Sequence, residues 1–364
     1  MQTRTSLLIV TLGIVTAWLV PSASATITNF TASATATLTE YHLGVAGQQA
    51  TEAADYTDPN DPLPLQTVAR LVSPEEDAAG MVAAQFSDPR TALGADPDEF
   101  AINIALSSIS DEYAYAATGA AEEVRTVVFS AAELGRPTGQ TVGLLGRLYL
   151  DGALAVFAGT DASDLTGTSV TLHVTVVKQV EGHADQTVYT SQLALTGGPD
   201  NAVAISSAGN FPVSGVFTTE LASVDPELSV FRVVVFPELA IDYAYDAVVG
   251  QTFTLRAKVG VEAVNIPGQV GASALIGTPL NALDDVLPLT LGEVRATKII
   301  DAMKQERQQP TGEPAFTAED DLTTLLSALF PACGLLGFET VLGVIALAGW
   351  RLAGPMRRTL TTKH

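Results

Sequence analysis

The residues best placed to do chemistry are carboxylates gathered in loops. Asp55, Asp58 and Asp61 stand in the run DYTDPNDP, where two prolines bend the chain and Asn60 adds another oxygen donor. Hard cations such as Ca²⁺ take about six to eight oxygen ligands, so this loop is a candidate Ca²⁺ site. It lacks the glycine at position six and the terminal glutamate of an EF-hand loop. Asp96, Asp98 and Glu99 in DPDE, and Asp161 with Asp164 in TDASDL, offer the same chemistry. The competing reading is a set of solvated acidic turns. Residues 26 to 332 hold 39 acidic side chains against 13 basic ones, a net charge of −26, so acidic loops are the expected background. Such a field repels nucleic acid, which is excluded as a partner, and favours solubility, salt tolerance or cation binding.

Catalytic signatures are missing. The chain has no HExxH, GxSxG, Walker loop or CxxC, and its four histidines are scattered. His173 falls on the outward side of a predicted strand, and His42 and His183 lie near turns, all three read as surface histidines. No catalytic residue or cofactor is assigned from sequence. Two tyrosine pairs, Tyr113 with Tyr115 and Tyr243 with Tyr245, have strand spacing and would each share a face. They fit either a glycan platform or core packing, and the absence of Trp between residues 19 and 349 weighs against the platform.

Strands must position these groups. From Thr26 to about Leu291, short runs rich in Val, Thr, Ala and Phe alternate with Gly, Pro, Asn and Asp clusters. In Thr31–Thr39, TASATATLT, Thr or Ser takes every odd place and Ala or Leu every even one. Val170, Leu172, Val174 and Val176 should point inward, and so should Phe253, Leu255, Ala257, Val259 and Val261. Phe231–Phe236, FRVVVF, is apolar on nearly both sides and should be covered on both. Turn residues separate the runs at Glu181-Gly182, Gly197–Asp200, Ala208–Asn210 and Asp225-Pro226.

This pattern predicts a mainly β chain, an antiparallel β-sandwich of jelly-roll-like design over residues 26–293. Tyr-Ala-Tyr recurs ahead of a strand at 113–115 and 243–245. Two sandwich units divided near residues 135–143 would produce that echo, and so would chance in an Ala-rich chain. Val294–Gln308 reads as a helix, and Thr317 with Asp320 resembles a capping box opening another. With the Pro-Thr-Gly-Glu-Pro segment between them, residues 294–332 read as a helical stalk.

The two ends carry processing signals. Arg4, the 14-residue apolar run Leu7–Val20, Pro21 and Ala23-Ser24-Ala25 form a secretory signal over residues 1–25. Ala23 and Ala25 supply the small side chains that signal peptidase requires, and cleavage is expected after Ala25. The apolar run is shorter than the ~20 residues that span a bilayer, which speaks against an uncleaved anchor. Residues 333–350, CGLLGFETVLGVIALAGW, hold Glu339 as their one charge. Eighteen residues rising about 1.5 Å each cover most of a hydrocarbon core. The segment reads as a transmembrane or sorting helix, with Trp350 and Arg351 at the interface. Arg357 and Arg358 lie in the basic tail 351–364, which should face the cytoplasm. The competing reading is an amphipathic helix packed on the domain. Cys333 lies outside the acidic segment, so the exported body must hold together without a disulfide, and about 270 residues suffice for that.

Cys333 and Gly334 after Pro331-Ala332, an apolar stretch, and arginines near the terminus resemble the C-terminal sorting tails of the PEP-CTERM and MYXO-CTERM classes of exported bacterial proteins. The resemblance covers about 30 residues, lacks a Pro-Glu-Pro, and lies closer to the Cys-containing variants. It implies recognition by a membrane protease, then release or re-anchoring. Three functional readings follow: a surface-displayed, non-enzymatic sandwich with a structural, adhesive or matrix role; a glycan-binding module assisted by Ca²⁺; and a hydrolase with an unrecognised site.

Overall fold

A computed structural model describes residues 26–57, 64–87, 100–277 and 282–316. The strands are β1 (Thr26–His42), β2 (Val45–Tyr56), β3 (Leu65–Val72), β4 (Ala78–Phe86), β5 (Phe100–Ser108), β6 (Tyr113–Val128), β7 (Thr141–Gly159), β8 (Ser169–Gln179), β9 (Gln186–Gly197), β10 (Val203–Gly209), β11 (Phe217–Glu220), β12 (Leu228–Val248), β13 (Thr252–Val264), β14 (Val270–Ile276) and β15 (Glu313–Pro314). The helices are α1 (Ala131–Leu134), α2 (Ala282–Leu291) and α3 (Glu293–Gln308). One sheet has the order β10-β9-β8-β13-β6-β1-β2 and the other β15-β11-β12-β7-β14-β5-β4-β3. The chain is thus mainly β, in two antiparallel sheets packed on a shared core.

The alternation expected from sequence is the one that folds. Ala32, Ala34, Ala36 and Leu38 of β1 are buried, as are Val170, Leu172, Val174 and Val176 of β8. In β12, Phe231, Val233 and Val235 face the helices while Val234 and Phe236 face the other sheet, so FRVVVF is covered on both sides. Glu181-Gly182 and Asp225-Pro226 lie in connections and Gly197–Asp200 opens one, while Ala208 and Gly209 are the last paired residues of β10, which ends before Asn210.

Small residues set the distance between the sheets. Ala32, Ala34 and Ala36 on β1 and Ala117, Gly119 and Ala121 on β6 line the inner face of the first sheet, opposite Val82 and Ala84 of β4 and Ile102 and Ile104 of β5. Stacked sheets ordinarily lie about 10 Å apart. Here Cα atoms of β4 come within 8 Å of β1 and β6. A Cβ on Gly119 would sit 2.7 Å from Ile102 Cγ2 and 3.0 Å from Val82 Cγ2, and one on Gly80 would meet Leu38, Leu106 and Tyr115.

Residues 135–143 do not divide two units. Strands from before and after them share both sheets: β6 lies between β1 and β13, and β14 lies between β7 and β5. The stretch is a connection at one end of a single sandwich, following α1, whose Ser130 and Glu133 form a reciprocal capping box.

The helix expected at 294–308 is present as α3, but it is not a stalk. Its Ala296, Ile299, Ile300 and Met303 are buried on the outer face of the eight-stranded sheet, with Phe157, Phe231, Val233 and Val235. The end of the region read as strand is also helical. In α2, Leu283, Val286, Leu287 and Thr290 recur at helical spacing and are buried on the same sheet. Salt bridges fix α3 further, Lys298 Nζ to Asp225 Oδ2 at 3.0 Å and Arg307 to both oxygens of Asp151 at 2.8 and 2.7 Å. Among the described residues, no helix is long and apolar enough to cross a membrane. The expected span at 333–350, the capping box at 317–320 and the signal at 1–25 lie outside them.

Past α3 the chain is held by Glu306, which is 3% exposed. Its carboxylate accepts from Thr219 Oγ1 at 2.8 Å, from Thr311 N at 3.0 Å and from Thr311 Oγ1 at 2.5 Å. Burial is the largest influence on this acid and pushes its pKa up, but the hydrogen bonds from Thr311 and Thr219 outweigh it and hold the pKa below the ordinary value. A depressed pKa means stability that is present above the unfolded value of 4.5 and is lost as pH falls through the folded one.

Two predictions follow from this packing. Gly119→Ala should lower stability by about 1–3 kcal/mol through overpacking, read as a reduced urea midpoint; an unchanged midpoint would show that the sheets can separate freely. Glu306→Gln should cost more at pH 7 than at pH 3, and an equal loss at both would mean that the carboxylate charge plays no part.

Candidate functional site

The acidic loops do not assemble a metal centre among the described residues. Asp55 is exposed on β2, opposite Ser33 of β1 on the outer face, while Asp58 and Asp61 lie outside the described residues, as do Asp96, Asp98 and Glu99. Asp161 accepts from Gln269 Nε2 at 3.0 Å, and Asp164 accepts from its neighbour's backbone, Thr166 N, at 2.8 Å. Both build loops. No group of three or more His, Cys, Asp or Glu side chains among the described residues could hold an ion. The processing and anchor residues Ala23, Ala25, Cys333, Gly334, Trp350, Arg351, Arg357 and Arg358 also lie outside.

The tyrosine pairs serve packing. Tyr115 is fully buried and Tyr113 stacks on His42 with ring centroids 4.7 Å apart. Tyr243 covers Gly146, where a Cβ would collide with its ring, and Tyr243 stacks on Tyr245 at 6.0 Å. Neither pair presents two open ring faces side by side. Of the described histidines, His173 points outward from β8 and His183 meets the Glu181 carbonyl in its turn.

Polar groups from several loops converge at one pole of the sandwich. The β1–β2 hairpin turns at Leu43-Gly44, and Leu43 N donates to the Glu112 carbonyl at 2.8 Å. Ile109 N donates to the Asp77 carbonyl and Gly268 N to the Ser110 carbonyl, each at 2.8 Å, so four loops are joined edge to edge. His42 Nε2 lies 3.0 Å from Glu112 Oε2. Ser73 Oγ donates to Asp77 Oδ1 at 2.6 Å and accepts from Ala78 N at 3.0 Å. Glu40, 6% exposed, lies on the inward side of β1, with an oxygen 3.3 Å from where a Gly47 Cβ would be.

This pole is negative. Burial and then the charges of Glu40, Glu112, Asp77 and Glu75 push the Tyr113 phenol above its usual pKa. Burial, then Glu40 and Asp77, also push the Tyr115 phenol up. The His42–Glu112 and Ser73–Asp77 pairs are separate, and among the described residues no hydrogen bond joins His42 to a serine or threonine hydroxyl. Ser73 bonds Asp77 and the Ala78 backbone within its own turn and is not linked to His42, so no hydroxyl–histidine–carboxylate relay is formed among the described residues.

Sequence reasoning missed the pole, although one signal was available. Carrying the alternation of Thr31–Thr39 one residue further puts Glu40 on the buried side, and a carboxylate there demands an explanation.

No family model and no curated protein matches the chain. Among solved structures, a subviral particle of infectious bursal disease virus VP2 is matched at 10% identity and a TM-score of 0.10, covering 84% of this chain and 78% of that one. The Gt strain of the same virus is matched at 11% identity and a TM-score of 0.09, with the same coverage. Scores this low carry no argument about fold or function.

Glu40→Gln should move the Tyr113 pKa down towards 10 by removing the strongest of its charged neighbours, and Glu112→Gln should do so less. Ring-labelled tyrosine NMR, assigned with Tyr113→Phe, would follow this; an unmoved titration in Glu40→Gln would remove the negative field from the account.

Proposed function

We propose that the chain is an exported, envelope-anchored and non-enzymatic β-sandwich with a structural, adhesive or matrix role. Residues 1–25 act as the secretion signal, and residues 333–350 anchor or sort the product, with Cys333 and Gly334 as the processing point and Arg351, Arg357 and Arg358 on the cytoplasmic side. The observation that carries this reading is the order of residues ahead of the strand-built body: Arg4, the uncharged apolar run Leu7–Val20, Pro21 and then Ala23-Ser24-Ala25.

Two further features support it. The cores between the sheets and beneath the helices are built by apolar side chains without a disulfide, so the body needs no oxidant to fold. Its surplus of carboxylates gives a soluble surface suited to exposure outside the cell. The repeated passage of the chain from one sheet to the other supports a jelly-roll-like description of the body.

Mass spectrometry of the protein recovered from cell fractions tests the proposal. The expected product begins at Thr26, partitions with the envelope, and is either shortened or modified at Cys333. A soluble cytoplasmic species running from Met1 to an unmodified His364 would end it.

A further inference from the structure

The two poles of the sandwich are unlike. Thr26 of β1 pairs with Val128 at one pole, and β15 runs antiparallel to β11, so the described chain leaves Phe316 heading towards that same pole. The opposite pole carries the hairpin tip and three exposed aliphatic side chains, Leu43 at 66%, Val45 at 70% and Ile109 at 44%.

Leu43 is the wrong residue for its place. His42 pairs with Val45, leaving a two-residue turn in which Leu43 and Gly44 both have positive φ, 50° and 76°. Turns of this kind favour Asn-Gly or Asp-Gly, because leucine pays a steric cost at positive φ. The side chain gains nothing from burial in return. Folding therefore gives no reason for a leucine here, whereas contact with another molecule does. The surroundings indicate which molecule. The segments at 42–45, 73–77 and 109–113 bring Glu75, Glu76, Asp77, Asp111 and Glu112, with the buried Glu40 beneath them, and not one Lys or Arg.

We infer that this pole, with Leu43, Val45 and Ile109 exposed on it, docks a protein segment that offers an apolar side chain flanked by lysines or arginines. The aliphatic centre supplies the burial and the acidic rim supplies steering and orientation. Anionic membrane is disfavoured as the target by the same rim. The pole is built wholly from described residues and has the same chemistry in whatever compartment the protein occupies.

Fluorescence anisotropy of three labelled peptides against the purified protein tests this. Their sequences are KKKLLKKK, KKKSSKKK and EEELLEEE. The first should bind at least about tenfold more tightly than either of the others. The double variant Leu43→Asn/Val45→Thr should lose that preference, while Leu43→Asn alone leaves the thermal midpoint unchanged or raised, because Asn-Gly suits the turn. Equal binding of the leucine and serine peptides would reduce the effect to bulk charge and overturn the inference. A preference that survives in the double variant would also overturn it. Adsorption to phosphatidylcholine vesicles that disappears in the double variant would assign the tip to lipid instead.

Discussion

The closeness of the two sheets is the constraint on which the rest of the structure depends. It requires alanine or glycine where β1 and β6 face β4 and β5, because a single added methyl at Gly119 meets two side chains. Dispersion contacts fall away quickly with distance, so the larger aliphatics opposite, Val82, Ile102 and Ile104, reach good contact only if the facing residues are small. A stripe that looks like low-complexity alanine in the sequence is thus one half of a complementary surface. The outer face of the eight-stranded sheet is packed differently, with Phe157, Phe231, Ile299 and Met303 meeting under α3.

The interior also contains charge. Glu123 and Arg125 both lie on the inner face of β6, 8% and 9% exposed, and Arg125 Nε donates to Glu123 Oε2 at 2.6 Å. Two residues apart on one strand, they share a side of the sheet by geometry alone. Such a pair adds little net stability, since desolvation offsets its attraction, but loss of one partner commonly costs about 3–5 kcal/mol. It excludes arrangements that would strand one charge in the core. Glu306 works in a similar way at the edge, where a buried carboxylate is tolerated because Thr219 and Thr311 supply its hydrogen bonds.

Much of this was legible from residue order. Period-two alternation identified β1, β8 and β13 with the correct inward residues, and the doubly apolar FRVVVF marked a strand covered on both sides. Long-range pairing was not legible. Nothing local indicates that β6 lies beside β13 or β7 beside β12, and the recurrence of Tyr-Ala-Tyr suggested two bodies where there is one. The short helix α2 was hidden because Pro288 and the aliphatic run around it read equally well as strand. For α3, periodicity gave the helix but not its partner. The polar pole escaped because its residues come from four separate loops, and among its acidic residues Glu40 alone broke the strand alternation.

The order in which the strands are paired has a consequence for biogenesis. The central neighbours of each sheet are far apart along the chain, with Val128 of β6 opposite Thr252 of β13 and Thr141 of β7 opposite Val248 of β12. A polypeptide emerging from its amino end cannot complete either layer until more than two-thirds of it is out, and pairings of such large sequence separation form slowly. The early strands can pair among themselves, β1 with β2 and β6 and β4 with β3 and β5, but the free edges of β6 and β5 stay open until β13 and β14 arrive. That delay leaves the open strand edges of the first half in need of protection until the second half arrives.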